Sequence, residues 1–388
     1  MTISVVLDGD SIPIDRDVFV ELLENSVASD YVAYQNALAK GSIEFKTLVR
    51  LARKGEIPYS LFFGPVAVVR AQIRANTGKL LEGISKATFS VNSRGTVELH
   101  RIELIVKDLL RKQATLKKYD DTLTHNTIVG MIGKPGTTVE QDAQALMRAI
   151  KLTRSDLQSA RNKEAALNLL IDRLESSQIL VSRSVRNYMP QQLKANFSGM
   201  AIKDKKVPYI FLASELGQEE LYGRQVFTLT LLTVLIARNI FAPVTYQTQS
   251  GGAAPGREYE IVEQLLMPVE EIITLPLGSL DDIVAAADHF KVTPSALAVR
   301  AMHLKLVDVE TSSAYLTELN RRHASRPKSQ ARNPLPAKAV RKYAGRELVS
   351  RMFDALDAGR LSERQFCKSV CLNKLKPTQL ADLRAVVG

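Results

Sequence analysis

The sequence contains two cysteines, Cys367 and Cys371. Two thiols cannot build a disulfide framework, and so low a count fits a reducing compartment. Long apolar runs are lacking too. The longest strongly apolar stretch, residues 226–237, falls short of the roughly 18 to 20 residues that a bilayer-crossing helix needs. The opening MTISVVLDGDSIPID has no basic start, apolar core or small-residue cleavage site, so no secretory signal is expected and the cytoplasm is the expected compartment. Histidine is scarce: His100, His125, His289, His303 and His323 are the whole set, and no two stand three or four residues apart. No helix can therefore offer a pair of imidazoles to a metal, and no cofactor is expected. Repeats with the period of a solenoid are missing as well.

Acidic residues are absent from one particular region. None occurs between residues 320 and 346, where Arg321, Arg322, Arg326, Lys328, Arg332, Lys338, Arg341, Lys342 and Arg346 stand. Residues 321–388 hold 16 of the 52 Lys and Arg but 5 of the 41 Asp and Glu. The remainder holds 36 of each, so the net charge of +11 belongs to the last 68 residues. A neutral body with a basic C-terminal region suggests a polyanionic partner. Pro327, Pro334 and Pro336 are expected to keep the first half of the region extended or loop-like. Its nine cations are then candidate nucleic-acid contacts, each phosphate neutralised releasing counterions. The alternative is a solvated linker to a small terminal helical unit. The charge excess continues through Arg351, Arg360, Arg364, Lys368, Lys374 and Lys376.

At 388 residues and 45% hydrophobic the chain can bury sizeable cores. Asp8-Gly9 suggests a hairpin between residues 3–7 and 11–14, followed by helical spacings that end at the Gly64-Pro65 breaker. Residues 97–119 carry an amphipathic helical pattern. The stretch GKPGTT lacks the spacing and the Ser or Thr after Lys that a phosphate loop requires, and reads as a turn. From residue 156 the pattern runs helix, three strands (179–182, 198–202 and 207–212) and a strongly apolar helix (225–239). Helices follow at 258–266, 280–290, 294–304, 311–320, 339–356, 363–371 and 377–387. The expected class is α+β and predominantly helical. It comprises a helical N-terminal domain (1–75), a helical connector (76–155), a small mixed α/β domain (156–310) and a basic helical C-terminal region (311–388).

In the mixed domain, VPYIFLASELGQEELYGRQVFTLTLLTVLIARNIF is followed by IVEQLLMPVEEI and then by the helix pair LDDIVAAADHFKVTPSALAVRAMHLKLVD. This order resembles the ImmA/IrrE family of zinc peptidases. There a strand leads to a helix of the form QxFTLAHELGH, a later helix ends in LLMP, and two helices follow. Gln225, Phe227, Thr228 and Leu229 match the helix start, and Leu265, Leu266, Met267 and Pro268 match the second landmark. GSIEFKTLVRLARKGEIPYSLFFGP resembles the end of the repressor-type helix-turn-helix domain fused to some members.

The resemblance aligns the zinc motif HExxH with Leu231, Leu232, Thr233, Val234 and Leu235. Leucine has no lone pair for zinc and cannot deprotonate a metal-bound water. The third family ligand falls near Arg257 and Glu258. The resemblance therefore implies a pseudo-peptidase that acts by binding nucleic acid or a protein partner, such as a repressor or toxin–antitoxin component, in transcription control, prophage, defence or toxin–antitoxin settings. Two alternatives remain: a pure protein-interaction scaffold, or an active metallopeptidase with relocated ligands.

Two helix-turn-helix candidates accompany this reading. One places a recognition helix at residues 29–40, where Gln35 and Asn36 could read base edges but Lys40 is the sole cation. The other is the pair 280–290 and 294–304, with Thr293 as N-cap and Pro294 in the first turn. In the resembled family that pair packs against the peptidase domain. Cys367 and Cys371 share one helical face and read as small buried hydrophobes.

Overall fold

A computed structural model describes residues 2–82, 102–193, 198–213, 221–244, 256–325 and 334–388. The class is α+β with helices predominant: eighteen α-helices and two small sheets occur among the described residues. None of those helices is long and apolar enough to cross a membrane. The chain falls into two units. The first takes Met1–Ile84, Val97–Arg111 and Pro190–Ala195, and the second takes Ser85–Thr96, Lys112–Met189 and Asn196–Gly388.

In the first unit, Asp8 and Gly9 both adopt positive φ, 50° and 95°, and close an antiparallel hairpin of β1 (Thr2–Leu7) and β2 (Asp10–Asp15). Asp15 then caps α1 (Arg16–Glu24), accepting the Asp17 amide at 2.8 Å. After a 3-10 turn come α2 (Val32–Lys40), a short strand β3 (Ser42–Glu44) and α3 (Phe45–Lys54). Beyond a second 3-10 turn lies α4 (Val66–Glu82). The expectation of a helical domain behind a hairpin omits β3, which runs parallel to β1 and completes the order β2-β1-β3. A three-residue strand shows no alternation of its own; Gly41, at φ 68°, ends α2 and turns the chain so that Ile43 enters the core. That core stacks Phe19 on Tyr34 with ring centroids 5.7 Å apart and sets Phe62 against Phe19.

The amphipathic pattern forms α5 (Glu103–Tyr119), residues 97–101 of its expected span lying outside the described residues. In the second unit, Thr138 and Gln141 form a capping box at the start of α6 (Val139–Ala149). Next are α7 (Arg154–Gln158) and α8 (Lys163–Glu175). Four strands, β4 (Leu180–Arg183), β5 (Gly199–Ile202), β6 (Tyr209–Leu212) and β7 (Pro243–Val244), form a sheet of order β4-β6-β5-β7. β4 and β6 run parallel, and the other pairs run antiparallel. Across the sheet lies α9 (Leu221–Ala237), flanked by α8 and by α10 (Arg257–Leu266). The turn α11 (Val269–Ile272) leads to α12 (Leu280–His289), α13 (Pro294–His303) and α14 (Val309–Ala324). As expected, Thr293 caps α13, with Pro294 in its first turn.

Two details of the C-terminal region differ from expectation. Pro336 does not hold a loop open; it is the first residue of α15 (Pro336–Ala344), where its missing amide costs no hydrogen bond and its fixed φ suits the helix. The single helix expected over 339–356 is two, α15 and α16 (Arg346–Asp357), because Gly345 stands between them at φ 87° and ψ 142°. Only glycine takes that conformation readily. The break lets the last carbonyls of α15 meet the sheet: Ser182 Oγ donates to Tyr343 O at 2.5 Å, and the Tyr209 hydroxyl donates to Ala344 O. Helix-end carbonyls that would lack partners are thereby satisfied. Two further helices, α17 (Glu363–Ser369) and α18 (Leu380–Val387), complete the unit.

A Cβ at Gly345 would come within 2.9 Å of both Glu175 Oε1 and Val181 O. Gly345→Ala is therefore expected to cost about 2 kcal/mol or more, combining backbone strain with this crowding. Urea unfolding measures it, and a loss under about 0.5 kcal/mol, the usual scatter of a surface substitution, would contradict the account.

Candidate nucleic-acid interface

The residues aligned with the zinc motif lie in the middle of α9 and face hydrocarbon. Leu231, Leu232 and Leu235 are at most 1% exposed, and they belong to the large apolar core with Leu229, Val234 and Ile236. Leu232 fills the space over Gly199, where a Cβ would approach its Cδ1 to 2.9 Å. Thr230 and Thr233 donate back to Val226 O and Leu229 O at 2.9 and 2.8 Å, so their hydroxyls are spent inside the helix.

Near the third landmark, Arg257 pairs with Asp142 at 2.8 Å and Glu258 pairs with Arg238. Burial opposes ionisation of Asp142, but hydrogen bonds from Arg257, the Gly133 amide and Thr137 outweigh it and hold its pKa below the ordinary aspartate value. The GKPGTT stretch is a turn whose Gly133 amide is committed to Asp142. Among the described residues, no three His, Cys, Asp or Glu side chains are gathered as a metal site would need. His303 contacts Glu263 at 3.1 Å, His125 and His289 are exposed, and His100 lies outside the described residues. Cys367 and Cys371 are buried, and burial pushes the Cys371 thiol up to about 12, far from a reactive thiolate.

The nine cations of the basic stretch do not share one environment. Arg321 and Arg322, at the end of α14, both clamp Glu318, at 2.7 and 2.9 Å; their hydrogen bonds hold its carboxyl down at about 2. Arg326, Lys328 and Arg332 lie outside the described residues. Lys338 is exposed on α15 and has no ion pair among the described residues. Arg341 and Lys342 are half-buried beside Arg183 at the end of β4. Arg346 donates to Val387 O at 3.0 Å and stands 3.8 Å from Asp172.

Further along, Arg351 pairs with Asp120 at 2.8 Å, Arg360 stands 3.9 Å from Asp121, and Arg384 pairs with Asp357 at 2.8 Å. Arg364, Lys368, Lys374 and Lys376 are different: all four are exposed, and none forms an ion pair among the described residues. Arg364 and Lys368 are one helical turn apart on α17, and the two lysines follow in the next turn of chain.

In the first unit, Gln35, Asn36 and Lys40 are exposed on α2, as a recognition helix would need. A stronger cationic face lies on α3, which the sequence reading passed over. Lys46, Arg50 and Lys54 recur every four residues, with Arg53 beside them; all are exposed and without an ion pair among the described residues. The four-residue spacing in FKTLVRLARK is the signal that could have found it.

Glu175, at the end of α8, is 3% exposed and lies under the α15–α16 junction. Its Oε2 accepts the Glu347 amide at 3.3 Å, while its Oε1 has no hydrogen-bond partner. Burial, with smaller contributions from Glu347 and Asp172, pushes its pKa up from 4.5 to about 8. The folded protein therefore holds this proton more tightly than the unfolded chain. The stability so gained is complete below 4.5 and is lost as pH rises through about 8. Glu175→Gln, which mimics the protonated acid, should melt close to the parent at about pH 5 and above it at about pH 8.5. Equal differences at both values would refute a buried neutral carboxyl.

No protein family, curated protein or solved structure matches the chain.

Proposed function

We propose that this is a cytoplasmic, non-catalytic regulatory protein that holds nucleic acid through exposed cations. In this reading the second unit contains a pseudo-peptidase domain of the ImmA/IrrE type. The matches around Gln225–Leu229 and Leu265–Pro268 support that kinship. Buried leucine at the zinc-ligand positions supports the loss of peptidase chemistry. The observation that carries the binding role is the set Arg364, Lys368, Lys374 and Lys376, exposed and without carboxylate partners among the described residues. Charges already neutralised by neighbouring carboxylates have less to gain from phosphate; these four have everything to gain. The α3 stripe of Lys46, Arg50 and Lys54 is a second cationic surface of the same kind. Regulation of transcription, in prophage, defence or toxin–antitoxin contexts, is the setting that the resemblance suggests.

A protein partner is the second reading. Val6, Leu7 and Ile12 are exposed on β1 and β2, and Tyr59 and Phe63 are exposed in the turn after α3. Such apolar surface favours a protein ligand. A partner that stays bound after nuclease and high salt would favour it. Cleavage of a repressor protein by metal-loaded enzyme would restore the peptidase reading.

Deleting residues 321–388 is a poor test, since it would also strip α15 and α16 from β4. Charge reversal on the intact chain is cleaner. Wild-type affinity for a labelled DNA duplex, followed by anisotropy, should fall by about two orders of magnitude between roughly 50 and 200 mM salt if about four phosphates are neutralised. Reversing Arg364, Lys368, Lys374 and Lys376 together to Glu should weaken binding and flatten that salt dependence. Lys46→Glu, Arg50→Glu and Lys54→Glu, combined in a second protein, report on α3 separately. Unchanged affinity and salt slope in both proteins would end the nucleic-acid reading.

A further inference from the structure

Three cations meet inside the second unit without enough negative charge to balance them. Arg183 is the last residue of β4, directly after Ser182, whose hydroxyl is bonded to Tyr343 O at 2.5 Å. That bond pins the end of α15 against the end of β4 and brings Arg341 and Lys342 beside Arg183. All three side chains are half-buried, so each keeps some exposure to solvent yet has lost much of its water.

Their own partners are few. Arg183 makes one long contact, 3.5 Å, to Asn168 Oδ1 on α8. Arg341 Nε is buried and has no hydrogen-bond partner. Neither Arg341 nor Lys342 forms an ion pair among the described residues. Two carboxyl groups face Arg183, and together they do not balance the three cations. Glu175 holds its proton at neutral pH, and Glu164 accepts the Tyr222 hydroxyl at 3.0 Å. Lys342 is pushed down to about 8 by burial and by Arg183, as expected where cations crowd together with too little counter-charge.

The local account is three cations against the Glu164 carboxyl and a buried, protonated Glu175. Burying like charges together is costly unless something of opposite sign completes the set. A carboxylate ligand would supply one negative charge. A phosphate or phosphomonoester supplies about 1.5 to 2, with three acceptor oxygens that suit two guanidinium forks and an ammonium. We propose that Arg183, Arg341 and Lys342 form a binding site for a phosphate group, carried by free phosphate or by the terminal phosphate of a nucleotide. Asn168 and the Tyr222–Glu164 pair border the site on the α8 and α9 side. The site goes beyond the surface cations of the nucleic-acid reading and does not depend on it.

The full-length protein tests this with inorganic phosphate as the first probe and a nucleoside monophosphate as the second. Ionic strength is held constant with chloride at neutral pH. Wild type should show a saturable rise in melting temperature and saturable heat with one equivalent of phosphate. Tighter binding of the nucleoside monophosphate, with no response to the parent nucleoside, would identify a nucleotide as the source; equal affinity would identify free phosphate. Lys342→Met and Arg341→Gln should each weaken phosphate binding at least tenfold. They should also leave the melting temperature in chloride unchanged or higher, because each removes a repelling neighbour. Lys338→Met, an exposed change on the same helix, should retain the response. So should the protein with Arg364, Lys368, Lys374 and Lys376 reversed to Glu, whatever its affinity for DNA.

Absence of a saturable response in wild type would overturn the proposal. So would variants that bind phosphate as well as wild type, or a loss of folding in chloride on Lys342→Met. The last result would mean that the ammonium is already satisfied by a structural partner.

Discussion

Packing of α9 against its sheet is the constraint on which the second unit depends. A helix apolar over most of its circumference has no stable place except between other elements, and here the strands, α8 and α10 enclose it. Thr230 and Thr233 turn their hydroxyls back onto the helix. Polar chemistry is consequently displaced to the ends: Arg238 and Glu258 at one, Tyr222 and Glu164 at the other. A site in this unit has to be assembled around α9, because there is no room to assemble one on it.

The connection between α10 and α13 follows the same logic. Glu263 and Arg300 are both nearly inaccessible and meet at 2.9 Å, with His303 on the second carboxylate oxygen and Gln264 on the guanidinium. Such a pair adds little net stability over apolar packing, but it resists any shift of one helix along the other, since a displaced charge would be left alone in the interior. The network ties α13 to α10 and so holds α13 as part of the body.

How far the sequence foretold all this depends on where each element gets its information. The three strands and α9 were legible because their patterns are local: short apolar runs, then a strongly apolar helix. β3 was not, since three residues carry no period and their place beside β1 is fixed by the turn at Gly41. The break at Gly345 was equally hidden. Glycine inside a helical pattern is ambiguous, and only hydroxyls from Ser182 and Tyr209, more than a hundred residues away, decide it. Charge shows the same division. The count of cations was readable, and so was Glu318 three residues before Arg321, but the inward placement of Arg341 and Lys342 depends on contacts that a string of letters does not contain. The result is a basic region sorted into paired, inward and free cations rather than one uniform tail.

The bonds from Ser182 and Tyr209 to the end of α15 have a consequence for how the protein is made. β4 is the outer strand of its sheet, paired on one side with β6, and the α15–α16 junction lies against it from the other. During synthesis the sheet can form once residue 244 has emerged, but the covering helices begin only at residue 336. For the time it takes to translate the intervening stretch, several seconds at about 5–20 residues per second, the nascent sheet would present an open edge of the kind that recruits other chains. Brevity helps: β4 is four residues long and offers a poor template. The last helices thus act as a late closure, and the step at which this chain is most exposed to misassembly falls before its basic segment has left the ribosome.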